Sequence, residues 1–357
     1  MRDLVRRNLR FFLVAAAAAL VLRLIFLLRF PGVVTDSFVY GDIAKNWLQH
    51  GIYGLSGPEE ISPTYIRLPG YPAFLAVLFG IFGLEHYRSV LVVQIFVDLG
   101  TCVVCADIAL RIFGPRCAKA AFLLAGLCPF LATYAAAALT ETLEVFFTAA
   151  ALDAVVAGLQ AMRFRAWLLC GACCGAAMLL RPDGALLLMA IIAYVAARAL
   201  FGRRSAWLSS PRELTMAALL VLLVSVAPLV PWAWRNWRVF HRFQPLAPRY
   251  ANEENEFVPM GFNRWVKTWI ADYASVEEIY WQVPGGAIEA SRLPSRAFDS
   301  VRQREQTERL IDDYNRLLHV SPELDRRFEA LAYERIRAHR LRYYLGLPAL
   351  RVMDMWL

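Results

Sequence analysis

The sequence contains no internal repeat and no low-complexity tract, and charge is scarce. Asp, Glu, Lys and Arg together make up 19% of its 357 residues, against about 25% in an average soluble domain. Basic residues outnumber acidic ones, 38 to 30, with a pI near 9.2. They are scattered among apolar segments and form no patch, so a nucleic-acid partner, which needs a clustered cationic face, is not expected. There are five histidines, none of them near a cysteine. The seven cysteines (Cys102, Cys105, Cys117, Cys128, Cys170, Cys173 and Cys174) lie in or beside apolar segments, with Asp107 the one metal-ligand type close by. No metal site is therefore read from them, and Cys102-x-x-Cys105, inside an apolar run, reads as packing. A small-x-small cleavage site is also missing after the first apolar run.

What is abundant is apolar. The hydrophobic share is 59% and mean hydropathy is +0.44, against about 45–50% apolar in ordinary domains. The apolar residues come in long blocks, which makes lipid the solvent. Arg2, Arg6, Arg7 and Arg10 precede a run from Phe11 to Phe30, about the twenty residues a span requires. The positive-inside rule puts the N-terminus in the cytoplasm and residue 36 outside. A cleaved signal peptide is the rival reading; the run is too long for one, and Arg23 interrupts it.

Further apolar segments are Leu68–Leu84, Ser89–Phe113, Ala118–Ala138, Thr142–Leu159, Ala166–Leu180, Gly184–Leu200 and Leu214–Trp232. Basic turns at Arg163 and Arg165, and at Arg203, Arg204 and Arg212, mark the cytoplasmic side. Thr140–Glu141, Arg181–Asp183 and everything beyond Trp234 then fall outside, which demands seven crossings from eight candidates. Leu68–Leu84 and Ala118–Ala138 are the suspects for the segment that fails to cross, being short or interrupted by proline.

The polar stretch from Pro31 to Tyr71 lies between the first two apolar segments. Asp36, Tyr40, Ile43, Ala44 and Trp47 recur at helical spacing on one face, and Gly51 and Gly54 end the pattern. The expectation is a short helix on the membrane surface that presents Asp36 and Tyr40 to a cavity at the bilayer edge. An Asp at a helix start is ordinarily an N-cap, so cap and catalytic carboxylate both stay open. Asp42, about 240° around the helix, faces away from Asp36 and does not pair with it.

These features divide the chain into a membrane module at 1–233, with its first external loop at 31–67, an external and mainly helical region at 234–340, and an apolar segment at 341–357 that has the composition of the start of another span. GFNRWVKTWIADY reads as an amphipathic helix able to lie on the bilayer. Ser321-Pro322-Glu323 reads as a helix start. The fold class expected is an all-α polytopic bundle.

Asp36, Tyr40, Arg67, Glu141, Glu144, Arg181 and Asp183 all fall at outer ends of spans in this scheme. Glu141 and Glu144 share a helix face. Each has a plain reading: helix-dipole pairing for Glu141, a headgroup contact or a pair with Asp183 for Arg181. Their convergence suggests a cavity for a lipid-linked phosphate, with arginines as phosphate partners and a carboxylate as base.

TDSFVYGDIAKNWLQHGIYG, then IRLPGYPAFLAVLFGIFG, LTETLEVFF, GACCGAAMLLRPDG and PWAWRN together resemble the GT-C superfamily of polytopic glycosyltransferases. Within it, the group holding dolichyl-phosphate-mannose protein mannosyltransferases and lipid A aminoarabinose transferases is the most similar. The resemblance covers roughly residues 10–240 and rests on five weak motifs in the right order. It implies a polyprenyl-phosphate sugar donor, a lipid, glycan or protein acceptor, membrane lipid around the site, inversion at the sugar, and a bacterial plasma membrane with the site on its outer face. By position it makes Asp36 the base, Arg67 a residue that holds the donor phosphate and Glu141 an acid lining the same cavity; Tyr40, Glu144, Arg181 and Arg235 complete the set of candidate substrate-binding residues. No cofactor is implied with certainty, and a divalent metal is left open. Two departures stand out. Ile66 replaces an acidic residue some members carry there, and the chain stops where most members continue with further spans, as a short or truncated relative would. A lipid-linked sugar transporter is the alternative, motivated by Asp98, Asp107 and Asp153 inside candidate spans; an inactive truncated relative is a third.

Overall fold

A computed structural model describes residues 1–201, 210–253 and 256–355. Arg203 and Arg204 lie outside the described residues. The chain divides into two compact units, Met1–Glu253 and Glu254–Leu357. The division falls beyond the compositional shift at 233/234, because the helix that crosses that point continues to Phe240.

In order, the first unit holds α1 (Arg2–Arg7), α2 (Leu9–Arg29), α3 (Thr35–His50), the hairpin β1 (Gly54–Ser56) and β2 (Ile61–Pro63), α4 (Gly70–Phe82), α5 (Tyr87–Phe113), α6 (Pro115–Gly126), α7 (Pro129–Ala135), α8 (Glu141–Ala161), α9 (Phe164–Leu180), α10 (Gly184–Phe201), α11 (Pro211–Val226) and α12 (Leu229–Phe240). Five helical lengths among the described residues are long and apolar enough to cross a bilayer: α2, α5, α8, α10 and the run from α11 through α12. The α6–α7 pair, bent by 53°, makes a sixth. The protein is an all-α, multi-pass integral membrane bundle.

Two apolar helices are shorter. The 17 residues of α9 rise about 25 Å, near the lower limit for a span. α9 nevertheless runs the length of α8. Trp167 at its start packs on Gly158, where a Cβ would come within 2.7 Å of the indole, and Arg181 just past its end pairs with Glu141 at 3.0 Å. Further along α9, Gly171 and Gly175 let α11 and Pro228 approach so closely that a Cβ would lie 2.8 and 2.9 Å from them, the small-xxx-small packing of lipid-embedded helices.

α4 behaves differently. Its 13 residues rise only about 20 Å, and both ends lie against α3. Tyr71 near its start meets Tyr40, with ring centroids 5.1 Å apart. Just past its end Glu85 pairs with Lys45 at 2.9 Å, and Tyr87 donates to Ser37 O at 3.1 Å. α5 therefore begins at the end of the bundle where α2 finished. Of the two suspects for a non-crossing segment, Leu68–Leu84 is the one whose two ends both return to α3.

The α6–α7 break is held open by Arg23. Its side chain is wholly buried, and Nε meets Asp98 Oδ2 at 2.7 Å. The guanidinium also donates to Ala125 O at 3.2 Å and to Gly126 O, the carbonyls that the end of α6 leaves over, and to Ala19 O at 3.1 Å. Asp107 and Asp153 are likewise engaged: Arg111 reaches them at 2.7 and 2.9 Å, and the N-terminal amine sits 3.5 Å from Asp107. The three acids that motivated a transport reading are counter-ions of arginines in this bundle.

The second unit holds α13 (Met260–Val266), α14 (Tyr273–Ser275), α15 (Val301–Leu317), α16 (Pro322–Ala338) and α17 (Leu347–Asp354). Ser300 and Ser321 cap α15 and α16, each accepting an N–H at 3.2 Å. Expected to lie on the bilayer, the GFNRWVKTWIADY aromatic face is instead interior. Phe262, Trp265, Trp269 and Ile270 are buried with Leu310, Ile311, Phe328 and Leu331 of the α15–α16 pair. The pair offers an apolar stripe of its own, and burying both in one core removes more surface from water than either could alone. The 341–357 segment includes α17, eight residues long.

Two outcomes are expected. In a cysteine-free background, Ser56→Cys and Glu85→Cys should be labelled by an impermeant maleimide from the same side of the membrane, and Arg116→Cys from the other; labelling of 56 and 85 from opposite sides would restore α4 as a span. Arg23→Met should lower the melting temperature of the purified chain sharply, because it strands Asp98 and two carbonyls, a loss of about 3–5 kcal/mol for a buried charge left without its partner.

Candidate functional site

The site is built where the ends of α3, α8 and α9 meet the first loop. α3 is preceded by its N-cap Val34, whose backbone N–H donates to Ser37 Oγ at 3.1 Å. Asp36 is the second residue of the helix and makes no capping bond, so the N-cap reading does not describe it. Its side chain is 57% exposed and pairs with Arg67, Oδ1 to Nη2 at 2.9 Å. Gly51, at φ +70°, closes the helix in the left-handed conformation.

The hairpin then returns the chain to Arg67. Asp42 anchors it, accepting from the Ser56 N–H at 2.7 Å and its hydroxyl at 2.8 Å. Burial raises the Asp42 carboxyl, but the Ser56 bonds and Lys45 outweigh it and hold the group below the usual carboxylate range. The Leu68-Pro69-Gly70 turn that follows is pressed on the end of α9: a Cβ on Gly70 would lie 2.7 Å from Leu179 O. That close approach sets Arg67 and Leu68 beside Leu180 and Arg181.

A cavity of about 570 Å³ opens between these elements. Asp36, Tyr40, Arg67, Thr140, Glu141, Arg181 and Asp183 line it, with Leu68, Leu139 and Leu180 as apolar wall and Leu246, Pro248, Arg249 and Ala251 on another side. Arg67 stands 5.6 Å over the Tyr40 ring, and its Nε is buried without a partner. Burial pushes the Tyr40 phenol above its ordinary range; Arg67 opposes the rise, and Asp36 and Glu141 add to it, so the phenol is a neutral hydrogen-bonding group. Arg181 is ringed by Glu141 at 3.0 Å, Glu144 at 3.3 Å and Asp183 at 3.6 Å. Burial disfavours its charge, and Glu144, Glu141 and Asp183 together more than restore it.

The structure thus brings Asp36, Tyr40, Arg67, Glu141 and Arg181 to one cavity, with Glu144 behind Arg181. Arg235 is not there. Its guanidinium is spent on the carbonyls of Thr64 and Tyr53, both at 2.7 Å. Its placement beside Asn236 in a motif carried no information about which way the side chain turns. Sequence reasoning also missed Arg249, a cavity-lining arginine whose guanidinium stands 5.4 Å over the Tyr250 ring. It sits in an irregular segment with no periodicity to mark its direction; a third arginine downstream of PWAWRN was the one available signal. Among the described residues no set of three or more His, Cys, Asp or Glu side chains is arranged to hold a metal ion; the carboxylates here converge on a guanidinium.

No curated protein matches the chain. Residues 63–232 match the dolichyl-phosphate-mannose-protein mannosyltransferase family. That stretch takes in Arg67, Glu141, Glu144 and Arg181, and stops short of Asp36 on one side and Arg235 on the other. A multi-pass apolar bundle, a carboxylate–arginine cavity and this match over just under half of the chain agree with the motifs read from the sequence, and together they support a GT-C-type membrane glycosyltransferase.

Proposed function

We propose that this glycosyltransferase moves a sugar from a polyprenyl-phosphate carrier to a lipid, glycan or protein acceptor on the outer face of a bacterial plasma membrane. The observation that carries the reading is the Asp36–Arg67 pair in the cavity, 2.9 Å apart, a carboxylate and a guanidinium side by side, the two groups that a base and a phosphate partner would supply.

The acceptor's hydroxyl or amine gives its proton to Asp36 and attacks the anomeric carbon. The bond from that carbon to the phosphate oxygen breaks on the opposite face, and polyprenyl phosphate leaves with the electron pair. The sugar inverts. Arg67 and Arg249 face the phosphate from the cavity wall. A phosphate arriving there competes with Asp36 for the guanidinium and loosens the carboxylate for proton transfer. Arg181, already surrounded by three carboxylates, shapes the wall toward the transferred sugar's hydroxyls together with Glu141 and Glu144. Tyr40 supports the Arg67 guanidinium through its ring face.

Asp36→Asn should preserve expression, melting and binding of polyprenyl phosphate, since it keeps size and removes no cap. Sugar transfer should fall by at least about a hundredfold, the lower end of what a general base contributes. Transfer near the parental rate would sink Asp36 as the base and turn attention to Glu141. Arg67→Ala should weaken polyprenyl phosphate binding, and Arg67→Lys should recover part of it, since charge persists while the fork geometry is lost. Unchanged binding in the Ala chain would make Arg67 structural.

A further inference from the structure

Arg235 and Asn236 do not line the cavity, yet each grips a segment that does. Arg235 Nη1 donates to Thr64 O and Nη2 to Tyr53 O. These carbonyls sit across from each other at the base of the β1–β2 hairpin, where the Thr64 N–H also donates to Tyr53 O at 3.1 Å. The guanidinium is packed among the rings of Tyr53, Trp232 and Phe240, 5.2–5.3 Å from each centroid. From the same base, the Tyr53 hydroxyl donates to Arg67 O at 3.0 Å. Asn236 continues the chain of contacts the other way: Oδ1 accepts from Arg235 at 2.9 Å, and Nδ2 donates to Gln244 O at 2.7 Å, just ahead of the cavity-lining segment that holds Leu246 and Arg249.

We propose that Arg235 is a positioning residue for Arg67. It fixes the backbone that carries Arg67 by spanning two carbonyls at the hairpin base, and it makes no contact with substrate. This rests on the reading that Arg67 holds the donor phosphate. The geometry calls for a guanidinium: two N–H groups diverge to two carbonyls while the flat face stacks on rings, which a lysine ammonium cannot reproduce. Arg67 hangs from one side of this base through Tyr53, so a lost clamp shows first as a misplaced Arg67.

The test is a double-substitution cycle on the full chain in detergent, read as affinity for synthetic polyprenyl phosphate, with melting followed in parallel. Arg235→Ala should weaken binding about tenfold, the size of a charge-assisted hydrogen bond's contribution. In the Arg67→Ala background the same substitution should change affinity less than about twofold, because neighbouring residues that act through one another are not additive. Arg235→Lys should behave like the alanine chain. Tyr53→Phe, which removes only the strut to Arg67 O, should weaken binding in the parent and not in Arg67→Ala, and it serves if Arg235→Ala does not fold. Additive losses would mean that Arg235 meets the ligand itself or acts on general stability, and full recovery with Lys would mean that charge alone matters; either overturns the inference. If Arg67→Ala alone leaves affinity unchanged, the phosphate assignment fails first and takes the inference with it.

Discussion

A backbone broken inside a bilayer must find partners for its freed carbonyls within the protein, because the lipid offers none. The α6–α7 run of this bundle is broken in that way, between Gly126 and Pro129, and Arg23 supplies the partners from α2. Asp98 on α5 neutralises the guanidinium. An ion pair buried this deeply adds little net stability; what it fixes is which helices are neighbours and where the chain can bend. Because α6 and α7 return to the end at which α3 begins, Gly32 and Ala137 join in a short bridge there, and Thr140 and Glu141 open the next helix beside Asp36.

The cavity that results is held by chain ends of rigid elements. Asp36 and Tyr40 sit on the first turns of α3, Glu141 opens α8, and Arg181 follows α9, each fixed by a helix whose far end is packed elsewhere. Arg67 and Arg249 come from irregular backbone, and that backbone is tied down by the hairpin, the Gly70 turn against Leu179 and the Arg235–Asn236 contacts. The charges are distributed unevenly. Arg67 has a single carboxylate partner and a buried Nε without one, whereas Arg181 has three carboxylates around it. A phosphate would therefore meet less competition at Arg67.

The sequence carried the class of the protein because lipid imposes its demands locally. A helix must be predominantly apolar to cross, so α2, α5, α8, α10 and the α11–α12 run were visible as composition, and the basic turns ordered them. The same locality made Ser300 and Ser321 legible as caps. It failed where a face needs a partner to be interpreted. The aromatic residues around Trp265 have the spacing of a bilayer-lying helix, and only the apolar stripe of α15 and α16 makes them interior. Arg235 stood in a family motif beside candidate site residues, and only the course of the hairpin shows that it turns to Tyr53 and Thr64.

By itself the sequence determined an all-α, multi-pass membrane bundle and the set of carboxylates and arginines that gather at one cavity. Hydropathy and charge are properties of each segment alone, and those conclusions need nothing more. The tertiary structure decided that both ends of α4 lie against α3, that Asp36 is Arg67's partner and not a helix cap, that Asp98 serves Arg23, and that Arg235 stays out of the cavity. Each of these depends on which groups lie within a few ångströms across long separations in the chain, and spacing along one helix carries no record of that.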